Sequence, residues 1–256
     1  MRFYFPRTGK QLWANEKGLR ASSPYFETLF SSSFVEATTV TIATGQSYST
    51  VAKEPMGGNG EDSDDETDEI VAESSEAISY SATETTGTPF KTVTIIDASY
   101  STYFATLVWM GTGNIRFAPL RSSFKYPSTL SALASKTRGE WLVAADEQHS
   151  PDFPLPCSPK SIYRLAHLLE LDDLARVALS NFQSQLSPEI VAYEIFTDTA
   201  STYTALRDVA VAYAVQNWKE VAKSKALKKV KERADSGELD SGILLALELM
   251  KEHGPK

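Results

Sequence analysis

The stretch Asn15–Phe30, NEKGLRASSPYFETLF, constrains the fold of this chain more than any other. Leu19, Phe26, Leu29 and Phe30 recur at spacings that suit two short helices and not a strand. Pro24 falls between them. It disfavours helical geometry at Ser23, the residue before it, yet is pre-set for the first turn of a new helix. Either Ser22 or Ser23 is placed to cap that helix, and Glu27 is close enough to favour its positive N-terminal end. The stretch therefore reads as helix, tight corner, helix, with aromatic residues that require a core. It holds no nucleophile–base pair, no ligand cluster and no glycine cradle, so its expected role is packing and contact.

The flanking sequence adds short strands. Arg2-Phe3-Tyr4-Phe5 and Gln11-Leu12-Trp13-Ala14 read as a hairpin around the turn residues Pro6-Arg7-Thr8-Gly9-Lys10. Val40-Thr41-Ile42 suggests one more extended piece. Lys91 to Asp97, KTVTIID, reads as a strand with Val93, Ile95 and Ile96 buried on both faces. Ser99 to Met110 follows as a helix, stopped by Gly111-Thr112-Gly113, and Ile115-Arg116-Phe117 as a last short strand. From Ser158 onward the pattern is helical. Ser158-Pro159 opens the first of these helices, Leu171 to Leu186 gives the next, with Asp172 as its cap, and Ser187-Pro188-Glu189 repeats the cap–proline signal. Further helices are predicted over Ile190–Ala200, Tyr203–Lys219, Lys223–Ala234 and Ser241–Lys251. Strands and helices in this order make an α+β fold, not the regular alternation of a doubly wound sheet.

Two stretches break the pattern. Residues 43–89 are rich in Gly, Ser, Thr and Glu without periodicity and are predicted to be a disordered loop. Within them Glu61–Glu76 holds nine acids and no base, so the net charge of −8 becomes about +1 for the rest of the chain. Neither a nucleic-acid patch nor a membrane surface follows from that net charge. The acidic run is expected to be a solubilising spacer. Its Ser63-Asp64-Asp65-Glu66 resembles an acidophilic kinase site, which makes Ser63 the candidate phosphosite. Residues 120–157 are irregular and rich in Ser and Pro, with Trp141-Leu142-Val143 read as a local strand or docking patch.

The residue types exclude several functions. At 42% hydrophobic and 11% aromatic the chain fills a core, which argues against global disorder. No apolar run is long enough to span a bilayer, and MRFYFPRTGKQLW lacks the continuous apolar stretch of a secretion signal. An intracellular protein is the expectation, cytoplasmic or nuclear. Cys157 is the only cysteine, which rules out an internal disulfide and a cysteine-based zinc site. It has no basic neighbour in sequence to make it a nucleophile. His149, His167 and His253 are far apart, and His167 with Glu170 reads as a helix-surface contact, not a metal-ligand pair. There is no G-x-S-x-G and no P-loop. The chain is read as a non-enzyme with no catalytic residue, no cofactor and no metal. The basic run Lys223–Arg233 carries no interleaved aromatic and reads as a solvated helix face, not a nucleic-acid contact.

The order of motifs resembles a known family. Ala14-Asn15-Glu16-Lys17-Gly18-Leu19-Arg20-Ala21-Ser22-Ser23-Pro24-Tyr25-Phe26 is similar to the A-H-K-x-x-L-A-x-x-S-x-x-F motif of BTB/POZ domains. Phe26-Glu27-Thr28-Leu29-Phe30 matches their F-x-x-L/M-F continuation. Leu107, Thr112, Gly113 and Ile115, with Trp109 as the aromatic, match L-x-Y-x-Y-T-G-x-I, and Leu165–Leu174 is similar to a later family helix. The chain resembles the fungal BTB-domain proteins in particular, followed by helices like a BACK-type extension. The resemblance implies a BTB/POZ-like domain over 1–186, a short-stranded sheet flanked by helices with insertions at about 43–89 and 120–157, and a helical extension over 187–256. It implies a protein-interaction module that self-associates as a homodimer or binds protein partners. The expected interface is Asn15, Glu16, Leu19 and Arg20, with Phe117 and Leu120 where cullin-binding relatives carry their signal. Two other readings follow from the resemblance: a substrate-recruiting adaptor on a cullin ubiquitin-ligase scaffold, and a transcription-associated regulator. Asn15 stands where the family usually has histidine, and Phe117-Ala118-Pro119-Leu120 lacks the hydrophobic-x-Glu of cullin binders.

Overall fold

The computed structural model describes residues 1–31, 37–40, 64, 67–69, 90–128, 137–147 and 153–238. Among the described residues the sheet has four strands: β1 (Arg2–Phe5), β2 (Lys10–Trp13), β3 (Ala37–Val40) and β4 (Phe90–Thr94), in the order β2-β1-β4-β3. β1 and β2 form the expected hairpin, with Phe3 opposite Leu12. Gly9, at φ +69, supplies the left-handed turn residue, and its N–H donates to the Phe5 carbonyl at 2.8 Å. β1 also pairs in parallel with β4, Phe3 opposite Val93, and β3 runs antiparallel to β4 with Val40 opposite Phe90. β4 ends at Thr94, so Ile96 falls beyond the strand and is exposed while Val93 and Ile95 are buried. Burial on both faces, predicted for this segment, holds at the neighbours Thr92 and Val93 and fails at Ile96.

The helical corner forms as α1 (Glu16–Ser22) and α2 (Pro24–Ser31). Asn15 caps α1 by accepting from the N–H groups of Lys17 (2.9 Å) and Gly18 (3.3 Å). Ser23 is the serine that turns the corner. Its Oγ accepts from the Phe26 N–H at 3.4 Å and donates to the Leu169 carbonyl at 2.6 Å. A local cap thus doubles as a bond to a helix end far along the chain.

Phe3, Phe5, Leu12 and Val93 form the inner face of the sheet. Against it pack Phe26 and Phe30 from α2 and Tyr103 from α3 (Tyr100–Thr112). Phe3 lies 5.9 Å from Phe26 and 4.9 Å from Tyr103 between ring centroids, and Phe26 stacks on Phe30 at 5.6 Å. α3 begins at Ser99, whose Oγ accepts from the Thr102 N–H, and ends at Gly113 in the left-handed region.

Two helices occupy the stretch expected to be irregular: α4 (Arg121–Lys125) and α5 (Arg138–Glu147). Trp141-Leu142-Val143 is helical, not a strand, and Leu142 is buried. The cause is a capping box: the Glu140 N–H donates to Thr137 Oγ1 at 3.2 Å, and the Thr137 N–H donates to Glu140 Oε2 at 2.6 Å. Ile115-Arg116-Phe117 contributes a single parallel bridge, Phe117 to Cys157, in place of a strand.

The remaining helices are α6 (Pro159–Leu168), α7 (Asp172–Gln185), α8 (Val191–Ile195), α9 (Asp198–Thr202), α10 (Thr204–Gln216), α11 (Trp218–Val221) and α12 (Lys225–Asp235). Leu171, not Asp172, holds the cap position of α7, and Asp172 lies in its first turn. The predicted helix Ile190–Ala200 is broken at Thr197, which caps α9 by accepting from the Ala200 N–H. The predicted helix Ser241–Lys251 lies outside the described residues. Leu174 and Ala178 of α7 belong to the sheet-side core. Phe182, one turn further, belongs to a second core with Leu120, Ile190, Leu206, Leu227 and Val230. Among the described residues no helix is long and apolar enough to cross a membrane.

Candidate contact surface and a buried carboxylate cradle

β2 is an edge strand, and its alternation leaves Leu12 inward and Trp13 outward, 58% exposed. The Trp13 ring stands edge-on to Phe90 at 4.8 Å. Directly after it come Asn15, capping α1, and Glu16. Glu16 Oε1 accepts from Arg20 Nη2 at 2.9 Å and from Lys91 Nζ at 3.4 Å. Burial pulls the Glu16 pKa up, but hydrogen bonding to Arg20 and the charge of Lys91 pull it down and prevail. Arg20 also reaches Glu27 and Ser31 and lies 5.3 Å from the centre of the Phe30 ring.

The other expected interface residues are placed differently. Leu19 points into the sheet-side core and Leu120 is fully buried in the second core. Both hold the fold and neither is on a contact surface. The sequence places them at apolar positions without saying which face is covered. Gln185 pins the segment before α4: its Oε1 accepts from the Leu120 N–H at 2.8 Å and its Nε2 donates to the Ala118 carbonyl at 3.1 Å. Phe117 is half-buried, held by the bridge to Cys157. Ser63 lies outside the described residues.

The acidic run departs most from expectation. Asp64 is 0% and Asp68 3% exposed, so at these positions it is no solvated spacer. Asp64 Oδ1 accepts from Arg138 Nη2 at 2.8 Å and from the Ser158 N–H at 2.9 Å, and its Oδ2 accepts from Thr102 Oγ1 at 2.7 Å. Asp68 takes the N–H of Tyr100 at 2.7 Å on one oxygen. On the other it takes the N–H and hydroxyl of Ser101 at 2.8 and 2.6 Å. The two carboxylates therefore close the N-terminal ends of α6 and α3, where helix dipoles and free N–H groups favour anions. Burial pushes the Asp68 pKa above its ordinary value, against the hydrogen bonds from Ser101 and Tyr100. Arg7, in the β1–β2 turn, adds an exposed contact to Glu69 at 3.8 Å.

Cys157 lies beside this cradle, fully buried, with its one S–H in reach of two acceptors, the carbonyls of Ser101 at 3.4 Å and Leu155 at 3.3 Å. Burial pushes the thiol pKa well up and Asp64 and Asp68 push the same way, outweighing Arg138. The thiol stays neutral, which does not suit a nucleophile. A cavity of about 150 Å³ opens beside the cradle, lined by Asp97, Ser99, Ser161, Arg164 and Tyr203 among others. It is smaller than the roughly 300–1,000 Å³ of ordinary small-molecule sites. His167 stacks on Tyr163 and meets Tyr203 edge-on at 5.4 Å, an aromatic contact. Among the described residues no His, Cys, Asp and Glu group is arranged to hold a metal. In α12 Ala226, Leu227 and Val230 are buried while Lys225, Lys228, Lys229 and Lys231 are exposed.

A second buried ion pair links α6 to α8. Lys160 Nζ donates to Glu194 Oε2 at 2.6 Å, with both side chains almost completely buried. Nothing in the sequence around Lys160 points to a partner at position 194. For Asp64 and Asp68 the sequence gives no distinguishing signal either, because Asp62 and Glu66, and Asp65 and Glu69, have the same spacing. No family model matches this chain, and no curated protein does.

Proposed function

We propose that this chain is a non-enzymatic protein-interaction module of the BTB/POZ type, interrupted by two insertions, that self-associates or binds a protein partner. The contact surface is the β2 edge together with the start of α1. The observation that carries this reading is Trp13. It is a large aromatic, 58% exposed, on the strand that forms one edge of the sheet among the described residues. Tryptophan at such a place is the residue type most often found at the centre of binding surfaces. Asn15, Glu16 and Lys17 follow it closely in sequence, with Asn15 and Lys17 exposed, and supply hydrogen-bonding and charged groups suited to a polar rim. The buried charges Asp64, Arg138, Lys160 and Glu194 are engaged in holding elements together, and the thiol of Cys157 is kept neutral.

The test is the mass of the purified chain in solution, with a pull-down from native extract, for the wild type and for Trp13→Glu. A dimer or a retained partner is expected for the wild type. It is lost in Trp13→Glu while the circular dichroism spectrum is unchanged. A wild-type chain that is strictly monomeric and retains no partner overturns the proposal.

A further inference from the structure

We infer that the cradle at the N-termini of α3 and α6 is a docking site for an acidic peptide. The chain fills it with its own Asp64–Asp68 turn, and the site accepts a peptide carrying Asp-x-x-x-Asp in trans. The topology argues first. Val40 and Phe90 face each other across the β3–β4 pair, so the connection 41–89 leaves the sheet and re-enters it at one point. An antiparallel pair of this kind closes with as few as about two residues, so the sheet needs nothing from the connection. Yet Asp64 and 67–69 from that connection dock elsewhere, on parts of the chain 32 to 94 residues away.

The chemistry of the contact is that of ligand recognition. The cradle comes from three separate segments outside the connection: the start of α3, the start of α6 and Arg138 on α5. Every bond it offers to Asp64 and Asp68 is a donor to a carboxylate, and such charge-assisted bonds are the strong ones. One helical turn, closed by the Asp68 N–H on the Asp64 carbonyl at 3.0 Å, places both carboxylates on one side. Arg7 makes an exposed contact to Glu69, just after the turn, and the charge of Lys10 is felt by Asp68. The two carboxylates thus read a fixed spacing, and the buried Arg138 guanidinium at the Asp64 position selects an acidic side chain there over a neutral one. Tethering gives the resident turn a high effective concentration, on the order of millimolar for flexible linkers, so a second peptide enters when the resident one is weakened.

The experiment follows a fluorescently labelled peptide with the sequence 61–76 by anisotropy, against the full-length wild type and full-length Asp64→Asn/Asp68→Asn. The double variant is expected to bind the peptide at least tenfold more tightly than the wild type. Binding should fall at least tenfold when both aspartates of the peptide are Asn, and again when Arg138→Gln is added to the chain. A natively folded double variant that binds the acidic peptide no better than its Asn version overturns the inference. Should the double variant not fold, the wild-type chain is cut at protease sites inserted within 44–56 and 79–88. A fragment that co-elutes with the body and is displaced by labelled peptide supports the inference. A cut chain that unfolds, or whose fragment stays without exchange, shows an integral piece of core and overturns the inference, as does a folded body that loses the fragment and binds no labelled peptide.

Discussion

Lys160→Met should be among the most damaging conservative-sized changes in this chain, and the structure says why. Lys160 is in the first turn of α6, behind the Ser158 cap and Pro159, where the helix start is buried. Its ammonium meets Glu194 Oε2 at 2.6 Å, and Glu194 Oε1 has no hydrogen-bond partner among the described residues. Methionine keeps the volume of the lysine stem but removes the charge. Glu194 is then a buried carboxylate without its counter-ion, and breaking a pair in this way costs about 3–5 kcal/mol. Against a typical stability of about 5–15 kcal/mol that is a large fraction. For a chain of this size it corresponds to a fall in Tm of roughly 6–20 °C. Replacing both partners removes the cause. Lys160→Met with Glu194→Leu should lie within about 1 kcal/mol of the wild type or exceed it, because apolar pairs of similar volume often match buried ion pairs. Urea unfolding followed by circular dichroism for the wild type, both single variants and the double variant measures the coupling directly. A single variant that loses less than about 1 kcal/mol refutes the reasoning. So does a double variant as unstable as the worse single one.

Ser23→Ala removes a cap and a long-range bond together, leaving the Leu169 carbonyl without its donor. The expected loss is about 1–3 kcal/mol in urea unfolding, and a loss below about 0.5 kcal/mol would show that the bond to Leu169 contributes little. Asp68 should give the pH dependence an unusual sign. Its pKa is higher in the folded chain than its ordinary value, so between the two the folded state binds more protons than the unfolded state. Its contribution to stability therefore grows as pH falls through the raised pKa, and is unfavourable above it. Stability measured from pH 7 downward in the wild type should gain on Asp68→Asn across that window. Parallel curves would contradict the assignment.

What the sequence shows and what it hides follow from distance along the chain. The corner at Ser23-Pro24 is legible because every force that makes it acts within one helical turn. Thr137 and Glu140 carried an equally local signal, a capping box, but the Ser and Pro around it masked the helix that it starts. Asp64 and Asp68 were hidden by averaging: among nine acids, several of them four apart, nothing marks the two that turn inward. Lys160 and Glu194 meet across 34 residues, which no local pattern records. On the proposed contact surface, Asn15, Glu16 and Arg20 are legible as the polar start of a helix. Trp13 could be seen as a strand residue, but its exposure depends on which strand becomes the sheet edge, and that is a property of the whole topology.

The strand order also sets the sequence of events by which the sheet forms. β1 is hydrogen-bonded on both sides, to β2 a few residues away and to β4 across a separation of 90, as in the bond from Arg2 Nε to Thr92 Oγ1. The β1–β2 hairpin forms on a timescale of about 1–10 μs, whereas the parallel partner arrives only after a long loop has closed. Until then the second edge of β1, rich in aromatic residues, is an open template for strands of other chains. Refolding yield should therefore fall steeply with protein concentration, even where the folded chain itself is stable. During synthesis the ribosome holds β1 in that half-paired condition until Phe90–Thr94 has emerged.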